Sequence, residues 1–448
     1  MRFQYPKSTR IDEISNLADF VCDTAVELSA SDAEVSIYCS EGQDISISNG
    51  NVETLDFKGG VNIDICLYYG HKSVLYTTSD TSKHTIEKAL KNLSKRREFI
   101  EEDPYSGLPS KSLLAYDYID LSLFFSWDLD VDQKVDLLKS CEDVALNYKS
   151  EIKQSESVAL SLNKSFYYHA NTYGFRASYA KTYYNLCCCL LAEDNYGEMH
   201  RDYDYIESRN PNIFDNTNEI AKSTALKTVA RLGARIISSQ KSRVLFSPRM
   251  SKYFVYYLLR AINGRNIYQR SSFLNGHLNE KILPDFVDIL EDPHIPQGIS
   301  STYCDNDGVK TSKRFLVKAG TLNGYLLSTY TARQLNMQTT GNAGGYHNIL
   351  VSANGGDLET MLCELDTGLY VIDMMGHGVN IATGDFSRGV FGFWVKSGKI
   401  QFPVHEVTIA GNLKDIYNGL IAIGNNIDNQ GSIQTGSWLI NSMTIAGA

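Results

Sequence analysis

VSIYCSEGQDISISNGNV, residues 35 to 52, is the stretch from which the fold is read. Val35, Ile37 and Cys39 alternate with polar neighbours, and Ile45 and Ile47 resume the alternation, the period of a strand with one buried face. Asn49-Gly50 follows at once; both residue types tolerate the positive φ of a two-residue type I′ turn, so a hairpin is expected there. Gly59-Gly60 and Gly70-His71 then punctuate two further strands. Upstream, Ile11, Ile14, Leu17, Ala18, Val21, Ala25 and Leu28 recur at helical spacing and predict a helix over 11–29. Downstream, helices are expected over 80–97 and 129–149, the second carrying Val131, Val135, Leu138, Val144 and Ala145. Residues 153–206 read as long alternating strands with turns at Asn163-Lys164 and Tyr173-Gly174. Helices mixed with hairpins predict an α+β fold and not a doubly wound parallel sheet.

Asn216 with Glu219 has the form of a capping box and predicts a helix over 217–239. The domain boundary is placed there, giving an N-terminal mixed helix and strand domain over 1–225 and a C-terminal domain over 226–448. A short strand, Val244 to Phe246, leads to Ser247-Pro248, an N-cap followed by proline at the first helical position. That helix is expected to carry Phe254, Val255, Leu258, Leu259 and Ile262 on one stripe and to stop at Gly264, a left-handed C-terminal residue. Beyond it the chain is mainly antiparallel β with a few helices. Phe315–Val317 and Tyr325–Leu327 flank a hairpin at Ala319 to Asn323, and Val390–Val395 and Ile400–Val404 flank another at Ser397-Gly398. Short helices are expected over 329–336, 357–365 and 412–421. No internal repeat is visible.

A chain of 448 residues is long for a single core, which fits two domains. Its 43% hydrophobic and 21% charged residues are those of a globular protein. The net charge of −10 opposes a phosphate-neutralising face, and the densest basic run, Lys95-Arg96-Arg97, reads as a solvated helix end, so no nucleic-acid partner is expected. Met1 to Arg10 contains no apolar export segment, and no stretch approaches a membrane span, so no membrane partner is expected either. Nine cysteines without a CxxC pair, three of them adjacent at Cys187-Cys188-Cys189, fit a reduced cytoplasmic protein.

Six collinear blocks carry a family resemblance: YQRSSFL (Tyr268 to Leu274), EDPH (Glu291 to His294), GYLLSTY (Gly324 to Tyr330), TGNAGGYHN (Thr340 to Asn348), GHGVNIATGDFSRG (Gly376 to Gly389) and VTIAGNL (Val407 to Leu413). Over residues 240–425 the chain resembles the TldD/TldE family, also called PmbA or "modulator of DNA gyrase" proteins; upstream the resemblance rests on element order and length. The resemblance implies a zinc peptidase complex of two related subunits. TldD-type chains carry HExxxH on a helix with a further ligand later in the chain. TldE-type chains lack those ligands and pair with a TldD-type chain, and the complex cleaves peptides and flexible polypeptides.

A zinc hydrolase needs a set of ligands and a carboxylate beside an open coordination position. Among the nine histidines only His405-Glu406 forms the HE dipeptide, and Ile409 and Ala410 stand where a second histidine would fall. The alternation of Pro403 to Ile409 reads as a strand, which points His405 and Glu406 to opposite faces. Aligned on Ser271-Ser272-Phe273, the helix over 248–263 places Val255, Tyr256 and Arg260 at the His, Glu and His positions. Apolar Val and cationic Arg make no normal zinc shell. The resemblance therefore implies a TldE/PmbA-type subunit with no catalytic or metal residues and no cofactor of its own, zinc belonging to the TldD-type partner.

The glycine-rich blocks are the candidate peptide groove or subunit interface: Asn342, Gly344, Gly345, His347 and Asn348 in one, with Gly376, His377, Gly378, Asn380, Thr383, Asp385, Ser387 and Arg388 in the other. Glycines allow close backbone approach, and the interleaved polar side chains suit hydrogen bonding to an extended peptide. The plain alternative is tight turns that close a β structure. Two other functions stand beside the subunit reading: a self-sufficient hydrolase with a cryptic metal site near His347 and His377, built with Cys363 and Asp373 that lie between them in sequence, and a homodimeric binding protein. A direct regulator of gyrase or DNA conflicts with the acidic charge. The cysteine argument yields a direct expectation: thiol titration under denaturing, non-reducing conditions should find nearly all nine cysteines free, and a reproducible native disulfide would contradict it.

Overall fold

The expected hairpin opens the first sheet of the computed structural model, which describes residues 8–447. Helix α1 (Ser8–Glu27) leads into β1 (Asp32–Ser48), β2 (Asn51–Tyr69) and β3 (Lys72–Thr78). Asn49 and Gly50 turn between β1 and β2 with φ of 49° and 80°. Next come α2 (Lys83–Ser94), α3 (Val131–Tyr148), β4 (Ile152–Asn171), β5 (Arg176–Glu193), β6 (Met199–Ser208) and α4 (Asn218–Val229). The six strands form one antiparallel sheet in the order β3-β2-β1-β4-β5-β6. Val35, Ile37, Ile45 and Ile47 share one face, as their spacing predicts. Helices α1 and α2 cover one end of that face and α3 and α4 the other. Helix α3 opens on a reciprocal capping box between Asp130 and Gln133.

Four expectations in this half are corrected. Gly59 and Gly60 do not end a strand, because β2 runs unbroken past them, paired to Glu41 and Ser40. Asn163-Lys164 is not a turn; it lies inside β4 with Gly42-Glu41 on one side and Thr182-Tyr183 on the other. With backbone partners on both edges, local turn preference is overridden. The helix expected over 217–239 ends at Val229, because Gly233 takes a φ of 70° and Arg235 pairs its backbone with Pro403 and His405. Thr217, not Asn216, stands at its N-cap, and no side-chain cap bond forms.

The second half continues with β7 (Gln240–Phe246), α5 (Pro248–Ala261), α6 (Gly264–Tyr268), β8 (Ile289–Asp292), β9 (Arg314–Lys318), β10 (Thr321–Leu322), α7 (Thr329–Gln334) and β11 (Asn348–Val351). It closes with α8 (Leu358–Leu365), β12 (Gly368–Met375), β13 (Asp385–Lys396), β14 (Lys399–Asn412), α9 (Leu413–Asn418), β15 (Leu420–Ile423), β16 (Ile433–Gln434) and β17 (Trp438–Ala446). Five strands form a sheet in the order β10-β9-β8-β11-β16. The other six run β14-β13-β12-β7-β17-β15, and a further pairing of β14 with β17 closes five of them into a barrel. The fold is α+β, and its pairings are antiparallel except for β7 with β12 and β11 with β16 among the named strands.

Helix α5 packs its predicted stripe into the large core that spans the barrel and the five-stranded sheet. Phe254 lies 4.7 Å from the Phe246 ring and stacks on Trp438 at 5.8 Å. Gly264 is not the left-handed stop expected of it; it opens α6, and Asn263 caps that helix. Glycine is required there by approach: a Cβ would stand 2.7 Å from both Leu327 and Thr331. The same approach explains why Tyr325–Leu327 does not extend the β9–β10 hairpin, since Leu326 pairs with Asn263 instead. The Ser397-Gly398 turn falls where predicted.

The two halves meet on the face of the first sheet that no helix covers. Glu34, Ser36, Tyr167 and His169 project there, and the Asp305–Gly308 loop packs against them; a Cβ on Gly308 would touch Phe175 at 2.6 Å and His169 at 3.3 Å. Burial, reinforced by the charge of Asp307, pushes Asp305 up to about 8. Burial likewise pushes Glu34 up to about 7, although Tyr68 donates to it at 2.6 Å. The folded state therefore holds a proton on Glu34 that the unfolded chain, with an ordinary glutamate value of about 4.3, has lost. Stability from this group is intact below the unfolded value and is lost as pH rises toward the folded one. Glu34→Gln, which mimics the protonated form, should melt at a higher temperature than the parent near pH 8, with the gap closing near pH 4.5.

Candidate functional site

Helix α5 has a second face. Its buried residues leave Arg249, Tyr253, Tyr256 and Arg260 at helical spacing on the outside. The residues aligned to the zinc ligands divide between these faces. Val255 is 0% exposed in the core, Tyr256 is 38% exposed, and Arg260 is exposed with its guanidinium 5.9 Å over the Tyr256 ring. A side chain buried in hydrocarbon, a phenol and a guanidinium do not fit a zinc shell. Among the described residues no group of three or more His, Cys, Asp or Glu is arranged to hold a metal ion. His405 and Glu406 sit at a bulge of β14, where Glu406 takes a φ of 52°, so the regular alternation expected for 403–409 breaks there; the His405 ring lies 6.2 Å from that of His200.

The outer face of α5 borders a depression of about 350 Å³. Tyr203 and Tyr205 of β6, two apart and so on one face of their strand, form one wall, and Tyr346 with the Gln430–Ile433 segment forms another. A larger cleft of about 580 Å³ between α4, β12 and β13 joins it, sharing Tyr205, Arg249 and Gln430. Apart from Tyr346 in the TGNAGGYHN block and Tyr256 on the motif helix, none of these residues belongs to a sequence motif. The signal was present as the DYDY repeat at 202–205 and the polar stripe of α5, but nothing in the sequence brings the two together.

The 341–348 block adjoins this groove through Tyr346, while its singled-out polar residues turn inward. Glu291, 1% exposed, accepts from the Asn342 amide at 2.7 Å, from the His347 backbone at 3.0 Å and from Arg314 Nε at 3.0 Å, and shares a hydrogen bond with His347 Nδ1 at 2.9 Å. Arg314 also donates to Asn342 Oδ1 at 2.9 Å. Burial alone would raise the Glu291 pKa; the His347 hydrogen bond and the Arg314 charge reverse that and hold it below the usual range. Asn348 clamps the neighbouring loop, donating to the Asp292 carbonyl and Ser301 and accepting from the Ser300 amide. Gly344 and Gly345 take φ of 102° and 122°; a Cβ on Gly344 would meet Asn306, whereas Gly345 faces open space.

The 376–389 block reaches the other flank of α5. Arg388 is buried and donates to the Met375 and Met374 carbonyls and, at 2.7 Å, to the Tyr257 hydroxyl, so it holds α5 to the barrel. Gly378 allows the chain to double back, since a Cβ there would lie 2.1 Å from the Ser387 carbonyl. Gly376, His377, Asn380, Thr383, Asp385 and Ser387 are exposed, with Asn380, Thr383 and Asp385 tied into a local turn. The structure does not gather the residues of the cryptic-site alternative: His347 is buried on Glu291, His377 is exposed, Asp373 accepts from Arg231 at 3.0 Å, and Cys363 is exposed beside the Ser397-Gly398 turn.

With this geometry in place, the comparisons are specific. Residues 125–232 match the PmbA/TldA metallopeptidase central domain and residues 239–447 the PmbA/TldA metallopeptidase C-terminal domain. The "Metalloprotease PmbA" of Escherichia coli O157:H7 is 35% identical over 442 residues, 98% of each chain. The "Metalloprotease PmbA homolog" of Haemophilus influenzae is 35% identical over 97% of this chain and 96% of its own. In fold, the chain is similar to a putative modulator of DNA gyrase from Bacteroides thetaiotaomicron, with a TM-score of 0.91 at 24% identity over 98% and 99% of the two chains. It is similar also to TldE from Thermococcus kodakarensis, with a TM-score of 0.80 at 17% identity over 97% and 100%. Among the described residues, no helix is long and apolar enough to cross a membrane.

The buried network has a measurable consequence. Glu291→Gln should lower unfolding stability by about 3 kcal/mol in denaturant titrations, because it leaves the Arg314 charge uncompensated in the interior. A loss below about 1 kcal/mol would show that the network contributes little.

Proposed function

The chain belongs to the PmbA/TldD metallopeptidase family, and from that membership we propose that it is the non-catalytic, TldE-type subunit of a two-component cytoplasmic peptidase, helping a TldD-type partner to bind and guide peptides or unfolded polypeptides. The observation that carries the reading is the substitution of the motif helix: Val255, Tyr256 and Arg260 where ligands and a carboxylate would be needed. The metalloprotease activity in the names of the relatives is assigned here to the complex, with zinc held by the partner. The division into domains over 1–225 and 226–448 is part of the same proposal.

In this reading α5 keeps the position of a catalytic helix and presents tyrosines in place of chemistry. A recessed site that spares folded proteins needs walls. The Tyr346 loop and the exposed part of 376–387 supply backbone and side-chain groups for one, while Arg388, Asn342, His347 and Asn348 hold those loops in place from inside.

Co-expression with a TldD-type chain, followed by co-purification, metal analysis and peptide cleavage by each chain alone and together, tests the proposal. The expected outcome is zinc in the partner, none held stoichiometrically by this chain, and cleavage by the pair. Zinc at one per chain here, or cleavage by this chain alone, would refute it. Gly345→Trp, whose side chain would enter open space at the cost of strain at a φ of 122°, should lower cleavage by the complex with the partner's zinc retained and the chain still folded, and His405→Ala should change it little.

A further inference from the structure

The cations around the tyrosine groove are not equivalent. Lys227 holds Asp204 at 2.5 Å, Arg231 holds Asp202 at 2.7 Å and Lys252 holds Asp428 at 2.7 Å. Arg249, among the described residues, holds no carboxylate. Its guanidinium lies over the Tyr203 ring at 4.1 Å and the Tyr205 ring at 4.9 Å, and Nη1 donates to the Tyr203 carbonyl at 3.3 Å. Stacking on an aromatic face suits a guanidinium, which is weakly hydrated out of its plane, and it leaves the in-plane N–H edge free to donate. Arg249 lines both clefts where they join.

The smaller cleft is chemically one-sided. Its lining contains Arg249, Lys252 and five tyrosines, with no Asp or Glu. The adjoining larger cleft does carry acids, Asp202, Asp204, Glu219 and Asp428. Asp202 is held by Arg231, Asp204 by Lys227 and Ser223, and Asp428 by Lys252, so the first two reach Arg249 only through their charge. A planar fork of donors at the end of a tyrosine-lined groove matches a carboxylate, which it binds through two parallel hydrogen bonds, while phenol rings cover the adjoining peptide. We propose that Arg249, stacked on Tyr203 and Tyr205, is a carboxylate-binding subsite that anchors an anionic peptide, through either its C-terminus or an acidic side chain, in the groove beside α5. This deepens the peptide-guiding reading and rests on it for the ligand class.

The full isolated chain suffices for the test, with binding followed by titration calorimetry or ligand-observed NMR. Three N-acetylated probes are used: Ala-Tyr-Gly-Ala with a free C-terminus, its C-terminal amide, and the amide with Glu in place of the first Ala. The free acid, the Glu-containing amide or both should bind with a dissociation constant of about 1 mM or tighter, and the plain amide at least tenfold more weakly, about 1.4 kcal/mol. Which of the first two binds identifies the source of the carboxylate. Arg249→Met should cost at least tenfold. Arg249→Lys, which keeps the charge and loses the fork, should cost at least roughly threefold and carries the test if the Met variant does not fold. Lys91→Gln, remote from the groove, should leave affinity unchanged. Equal affinity for all three probes, no binding of any, or unchanged affinity in a folded Arg249 variant would overturn the proposal. Such a failure leaves the subunit assignment standing, whereas failure to find a catalytic partner would leave a carboxylate site on the isolated chain intact.

Discussion

Phe254, Leu258 and Ile262 lie on the face of α5 buried in the core of the second half, and that burial dictates what the opposite face presents. Each such side chain contributes roughly 1.5–3 kcal/mol when removed from water, so rotating the helix to hide its tyrosines would expose several at once. Arg388 adds a second lock, tying the Tyr257 hydroxyl to two carbonyls of β12. With the helix fixed in azimuth, Arg249, Tyr253, Tyr256 and Arg260 have to face outward. The groove exists because β6, which belongs to the first sheet, brings Tyr203 and Tyr205 to meet them.

Carboxylates drawn out of water appear in two settings. Glu291 is surrounded by donors and one guanidinium, so its charge is stabilised despite burial, and the loop bearing Asn342 and His347 is tied through it to Arg314 of β9. Glu34 and Asp305 instead feel the charge of Asp307 in addition to burial, and both carboxyls are shifted upward. Charge-assisted hydrogen bonds hold the loop beside the groove, while carboxyls with raised pKa lie at the contact between the first sheet and the second half.

The hairpin at Asn49-Gly50, helix α3, the α5 stripe and the Ser397-Gly398 turn are legible because each depends on local backbone chemistry or on a single periodic face. The misreadings have a common cause. Gly59-Gly60 and Asn163-Lys164 have the composition of turns yet lie inside long strands, because neighbouring strands satisfy the backbone on either side. Gly264 has the conformational freedom of a helix stop, whereas its requirement is space for Leu327 and Thr331, which are distant in sequence. Among the candidate site residues, type alone did not separate those that face solvent, such as His377 and Asp385, from those that hold loops from within, such as His347 and Arg388.

The sequence by itself determined the α+β class and the family, since both are properties of residue identity in linear order. Only the tertiary structure decided which face of that helix is presented, that Tyr203, Tyr205 and Tyr346 converge on it, and that Arg249 stands there without a carboxylate partner. The reason is physical. Periodicity specifies that a helix has a buried and an exposed face, but the chemistry of a groove depends on what packs opposite, and those partners come from strands and loops some fifty to two hundred residues away in the chain.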